Sequence, residues 1–166
     1  MSRATYRLAA DLGRELLRQG LKVATDESCT GGLIAGAITD VPGSSDWFDR
    51  GVVTYSNAAK FELLGVRPEI LEMEGAVSEA VAREMADGAI ARSAAELAVA
   101  VTGVAGPGGG TAQKPVGMVC LAFARRGQPT EAATRHFPGD RAAVREATVI
   151  AALEGLLTRL GEGRPG

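Results

Sequence analysis

Residues 97–101, Leu-Ala-Val-Ala-Val, form a continuous apolar run that empties directly into Thr102-Gly103-Val104-Ala105-Gly106-Pro107-Gly108-Gly109-Gly110-Thr111. An uncharged run of this kind is typical of a strand buried on both sides, as in a sheet covered by helices on each face. The glycines that follow, four in the five positions 106–110, carry a high conformational-entropy cost when ordered. They are either a plain flexible loop or a row of backbone N–H groups set to receive a phosphate. The loop is not a Walker A motif, because no Ser or Thr follows Lys114, and G-x-G-x-x-G fails at Thr111.

The remaining elements fit around that strand. Leu8, Leu12 and Leu16 lie four apart among charged residues, which predicts an amphipathic helix over 5–19 ended by Gly20. Residues 21–25 read as a short strand, followed by the small-residue turn Ser28-Cys29-Thr30-Gly31-Gly32 and a helix over 33–38. Residues 51–55 read as a second strand with Tyr55 at its end, and a short helix is expected around 58–64. Ser78 is a good N-cap for a helix near 79–94. Residues 116–125 and 130–137 read as strands joined at Arg126-Gly127-Gln128-Pro129. Asp140 is a plausible N-cap for a last helix to about Leu160, and 161–166 reads as a frayed tail. The expected fold is therefore α/β, a three-layer sandwich with a mixed, mostly parallel sheet and one antiparallel hairpin, as a single domain over 1–166.

Composition narrows the function. The 166 residues are 46% hydrophobic and 4% aromatic, so an aliphatic core is expected. A net charge of -2 without a basic run argues against a nucleic-acid partner. No apolar stretch has the length of a membrane span, no signal-peptide core is visible, and a cytoplasmic location is the expectation. Two cysteines, Cys29 and Cys120, and the single His136 do not make a metal-ligand spacing, so no metal and no cofactor are expected.

Three segments place polar groups or glycines where strands end, the usual position of a ligand crevice in open α/β sheets. Ser28 is a candidate nucleophile, with backbone N–H groups near Thr30, Gly31 and Gly32 available to a developing oxyanion; the plainer reading is a helix cap. Tyr55 and Lys60 are candidate partners for the serine, Lys60 as base if desolvated and Tyr55 as relay, against an edge tyrosine and a solvated lysine. Arg141 and Arg145, four apart, share one helix face and can clamp a phosphate or simply sit in solvent. Cys29 is a rival nucleophile or a buried small hydrophobe, and His136 reads as structural or surface.

Taken together, Glu27-Ser28-Cys29-Thr30-Gly31-Gly32, Val53-Thr54-Tyr55-Ser56-Asn57 with Lys60, Gly75-Ala76-Val77-Ser78, the 102–111 segment, Lys114-Pro115-Val116-Gly117 and Phe137-Pro138-Gly139-Asp140-Arg141 resemble the CinA C-terminal domain family, the nicotinamide-nucleotide amidohydrolases. The matching stretches span almost the whole chain. The resemblance implies hydrolysis of nicotinamide mononucleotide to nicotinic acid mononucleotide and ammonia, without metal, by Ser28 assisted by Tyr55 and Lys60. It extends the candidate binding set to Thr30, Gly31, Gly32, Asn57, Thr102, Gly103, Gly106, Gly108, Gly109, Arg141 and Arg145, and it implies a homo-oligomer. Two departures stand out: Asp26 where the family often has alanine, and Met118 where threonine is frequent. The larger N-terminal domain fused to this module in some relatives is not expected here. The alternative from another class is a pyridine-nucleotide-binding module without turnover.

Overall fold

The computed structural model describes residues 1–162. Five strands form one sheet in the order β2-β1-β3-β4-β5: β1 (Val23–Glu27), β2 (Phe48–Val53), β3 (Leu97–Gly103), β4 (Met118–Arg125) and β5 (Glu131–His136). β1 pairs in parallel with β2 and β3, whereas β4 is antiparallel to both β3 and β5. Four of the five strands thus run one way. The expected hairpin is β4–β5, and β3–β4 is a second antiparallel pair joined through the glycine segment.

Six helices cover the sheet: α1 (Arg3–Gln19), α2 (Leu33–Thr39), α3 (Asn57–Leu64), α4 (Pro68–Glu74), α5 (Glu79–Ala91) and α6 (Arg141–Glu162). The two faces differ because side chains alternate along a strand. Leu97, Val99 and Val101 of β3, with Val119, Leu121 and Phe123 of β4, pack against α1, α2 and α6. Ala98 and Ala100, with Cys120, Ala122 and Ala124, face α3, α4 and α5 on the other side. The sheet's own contribution to one face is bulky residues, and to the other almost entirely alanine methyl groups. Each fully buried Leu or Val contributes roughly 1.5–3 kcal/mol by leaving water.

Several boundaries differ from the sequence expectations for identifiable reasons. Gly20 is left-handed (φ 67°) and its N–H reaches the Leu16 and Leu17 carbonyls, while the Leu21 N–H also reaches Leu16. Residues 20–21 therefore close α1, and β1 starts at Val23. At its other end β1 continues through Asp26 and Glu27, both buried. β2 starts three residues earlier than expected and ends two earlier, so Tyr55 lies beyond the strand. The unexpected α4 has Pro68 in its first turn and Gly75 as its C-cap, a pairing that marks helix ends. Ser78 caps α5 through the Val81 N–H, and Asp140 Oδ1 accepts from the Ala143 N–H at the start of α6. α6 runs past Gly161 to Glu162, which corrects the expected tail start; 163–166 lie outside the described residues.

Candidate active site

The connections from β1 and β3 leave toward opposite edges of the sheet, β1 to β2 and β3 to β4, and this opens a crevice at their C-terminal ends. Ser28 immediately follows β1. Its N–H donates to the Val101 carbonyl at 3.0 Å, so the turn is stitched to the end of β3. The turn's shape depends on Glu27, whose buried carboxylate accepts from Thr30 Oγ1 (2.6 Å), the Ile34 N–H (2.8 Å) and the Ala35 N–H (2.9 Å). Gly32 caps α2 without a side-chain bond, so Glu27 supplies from the preceding strand the acceptor that the first helical turn needs. Gly31 and Gly32 have φ of 59° and 102°, conformations that admit glycine readily.

Lys60, in α3, is buried with 1% of its surface exposed. Its Nζ donates to the Thr54 carbonyl at 2.7 Å and to Ser28 Oγ at 3.1 Å. Burial lowers the affinity of this amine for its proton, opposed by Asp26 and Cys29. The solvated-lysine alternative is thereby removed. Behind it, Thr54 Oγ1 donates to Asp26 Oδ1 at 2.8 Å. Burial pushes the Asp26 carboxyl up to about 7, against the Thr54 hydrogen bond and the Lys60 charge, which pull it down.

Tyr55 is 61% exposed, and its hydroxyl accepts from Arg141 at 3.0 Å. The lysine reaches the serine directly, so a phenol relay between them is not needed. Arg141 also donates to the Gly106 carbonyl (2.8 Å), and Arg145 donates to the carbonyls of Cys29 (3.2 Å) and Thr30 (3.1 Å). Arg141 is exposed and Arg145 half-buried, and through these bonds they pin the glycine loop and the serine turn to α6. Both line a cleft of about 630 Å³ together with Ala105, Pro107, Val116 and Gly139.

The other candidates separate into two groups. Thr30 is fully buried and its hydroxyl is committed to Glu27, while the Gly31 N–H donates to the Ser28 carbonyl at 3.1 Å. Thr102 is buried and donates to the Ala76 carbonyl, tying β3 to the loop before α5. A Cβ at Gly103 would lie 2.7 Å from Val119 Cγ2, so that glycine serves strand packing. Gly106 is buried with φ 84°, whereas Gly108 and Gly109 are exposed. Asn57 is exposed at the start of α3 and borders a different hollow, with Phe61 and Pro68. Cys29 is buried and its thiol is pushed up to about 11 by desolvation, which keeps it protonated at neutral pH and disfavours the cysteine nucleophile.

Sequence reasoning missed the structural parts played by Asp26, Glu27 and Thr54. Its available signal was a pair of carboxylates at the end of a strand flanked by buried neighbours, a placement that requires partners.

The fold and this crevice define an α/β protein with a buried lysine hydrogen-bonded to a serine at the strand ends. Residues 5–160 match the CinA C-terminal domain model, and the chain belongs to that family. It is 52% identical over 149 residues to the nicotinamide-nucleotide amidohydrolase PncC of Enterobacter agglomerans, covering 90% of this chain and 91% of that protein. The PncC of Pseudomonas putida is 56% identical over 150 residues, with 90% and 93% covered. Other relatives are longer: 86% of the chain matches a CinA-like protein of Akkermansia muciniphila at 56% identity but spans only 34% of it. A relative from Symbiobacterium thermophilum is spanned over 35% of its length. Among solved structures, the competence/damage inducible protein CihA of Agrobacterium tumefaciens superposes with a TM-score of 0.92 at 49% identity, covering 97% of this chain and 98% of that one. Among the described residues no helix is long and apolar enough to cross a membrane.

Proposed function

We propose that the chain is an amidohydrolase that releases ammonia from the carboxamide of nicotinamide mononucleotide, leaving nicotinic acid mononucleotide. The observation that carries this reading is the 3.1 Å contact between Lys60 Nζ and Ser28 Oγ, made by an amine whose burial favours its neutral form. The names of the two relatives matched over nine-tenths of their length support the substrate class.

In the proposed reaction Lys60 takes the hydroxyl proton as Ser28 Oγ attacks the carboxamide carbon. The oxyanion forms toward the N–H groups of the 29–32 turn, where Thr30 and Gly32 have no recorded acceptor among the described residues. Lys60 then returns the proton to the leaving nitrogen, ammonia departs and an acyl-serine remains. Water, deprotonated by the same amine, cleaves that ester to the carboxylate and restores Ser28. The cleft lined by Arg141 and Arg145 receives the phosphate, with the Tyr55 hydroxyl held on Arg141, so that binding of the remote group orients the carboxamide.

The deciding experiment compares ammonia release from nicotinamide mononucleotide by the wild type and Ser28→Ala. A loss of about 10³-fold or more with the fold intact is expected. Undiminished release would remove Ser28 from the reaction. Nucleotide binding without ammonia from the wild type would instead favour a binding module.

A further inference from the structure

The proposed chemistry employs Ser28 and Lys60 but leaves Asp26 idle. Asp26 is fully buried on β1, between Val52 of β2 and Ala100 of β3. Only Oδ1 is hydrogen-bonded, and Oδ2 is buried without a partner among the described residues. Thr54 holds both ionisable groups at once, the carboxyl through its hydroxyl and the Lys60 amine through its carbonyl. With one proton between them, the pair exists either as carboxylate and ammonium or as carboxylic acid and amine. Both forms are neutral overall, but only the second gives Lys60 a lone pair for Ser28. A carboxylate with one unsolvated oxygen is costly to bury, which favours the second form, while the attraction between the two opposite charges favours the first.

We infer that Asp26 is a positioning residue that governs how often Lys60 is a free amine, its carboxylate holding the lysine protonated and its protonation releasing it. The inference rests on the serine–lysine reading above. The surroundings leave few other groups to exert this control. Glu27, next on the strand, is committed to the turn that starts α2 and adds its charge to the upward push on Asp26, and the Cys29 thiol stays protonated. Glu62 of α3 is exposed, and α5 turns Val81, Ala82, Met85 and Ala86 toward this face. Burial favours the neutral form of each member, and the charge of each acts on the other, so the two titrations are linked.

The test is kcat/KM for ammonia release from nicotinamide mononucleotide between pH 5 and 9, measured for the wild type, Asp26→Asn and Asp26→Ala. Without the carboxylate, Lys60 binds its proton less tightly, so the acid limb moves to lower pH by about one unit. Below that limb, each variant gains about tenfold on the wild type relative to their ratio on the alkaline plateau. The Asn variant keeps an acceptor for Thr54 and decides the matter should the Ala variant not fold. Profiles that superimpose after scaling by a constant, or that move to higher pH, overturn the inference. A fully active Ser28→Ala overturns the serine–lysine reading itself; an inactive Ser28→Ala with unmoved Asp26 profiles overturns only the present inference.

Discussion

On one side of β1 the Glu27 carboxylate collects three hydrogen bonds; on the other, one residue earlier, Asp26 collects one and leaves an oxygen unpaired. Both side chains are buried to the same degree. The difference follows from what each face of the sheet offers. Toward α1, α2 and α6 the first turn of α2 directs its N–H groups at Glu27. Toward α3 and α5 the sheet is lined with alanines, which carry no donors, and Asp26 finds only the Thr54 hydroxyl among the described residues. Burial alone therefore does not decide whether a carboxylate is an anchor or a titrating group; the supply of donors does.

The largest effect that would test this contrast comes from removing the anchor. Glu27→Ala leaves the Thr30 hydroxyl and two helix N–H groups without their acceptor, and a loss of about 3–5 kcal/mol in unfolding free energy by urea titration is expected, given about 1–3 kcal/mol per unpaired donor. Asp26 should behave in the opposite way. Its folded carboxyl, near 7, lies above the unfolded value of about 3.9, so the native state holds the extra proton between those limits. The stability it contributes is complete below pH ~4 and lost as pH rises through about 7. Asp26→Asn should flatten that slope, with a gain above pH 7 of at most ~4 kcal/mol, reduced by whatever Lys60 compensates. A slope unchanged in the variant would break the contrast. The smallest effect concerns the packing itself: Ala100→Val adds two methyl groups on the buried, alanine-lined face and should cost about 1–3 kcal/mol in thermal or urea unfolding.

Much of this arrangement was readable before any coordinates. The apolar run of β3, the turn between β4 and β5 and the small residues after β1 each follow from local physics, and the resemblance singled out Ser28, Tyr55 and Lys60 together, of which Lys60 alone is hydrogen-bonded to Ser28. Asp26 and Glu27 were not readable as buried, because a charged residue enters a core only with its partners. Those of Asp26 are Thr54 and Lys60, on another strand end and another helix. Tyr55 was placed at the end of a strand that in fact stops at Val53. The roles of Arg141 and Arg145 were likewise hidden, since their recorded acceptors are remote in sequence.

That remoteness has a consequence for the life of the chain. The bond from Arg145 to the Cys29 carbonyl joins groups 116 positions apart. A polypeptide leaving the ribosome exposes its serine long before this arginine has been made. The loop around that serine thus receives its final brace only when the last helix docks, and a protein caught before that moment holds Ser28 in an unfinished setting.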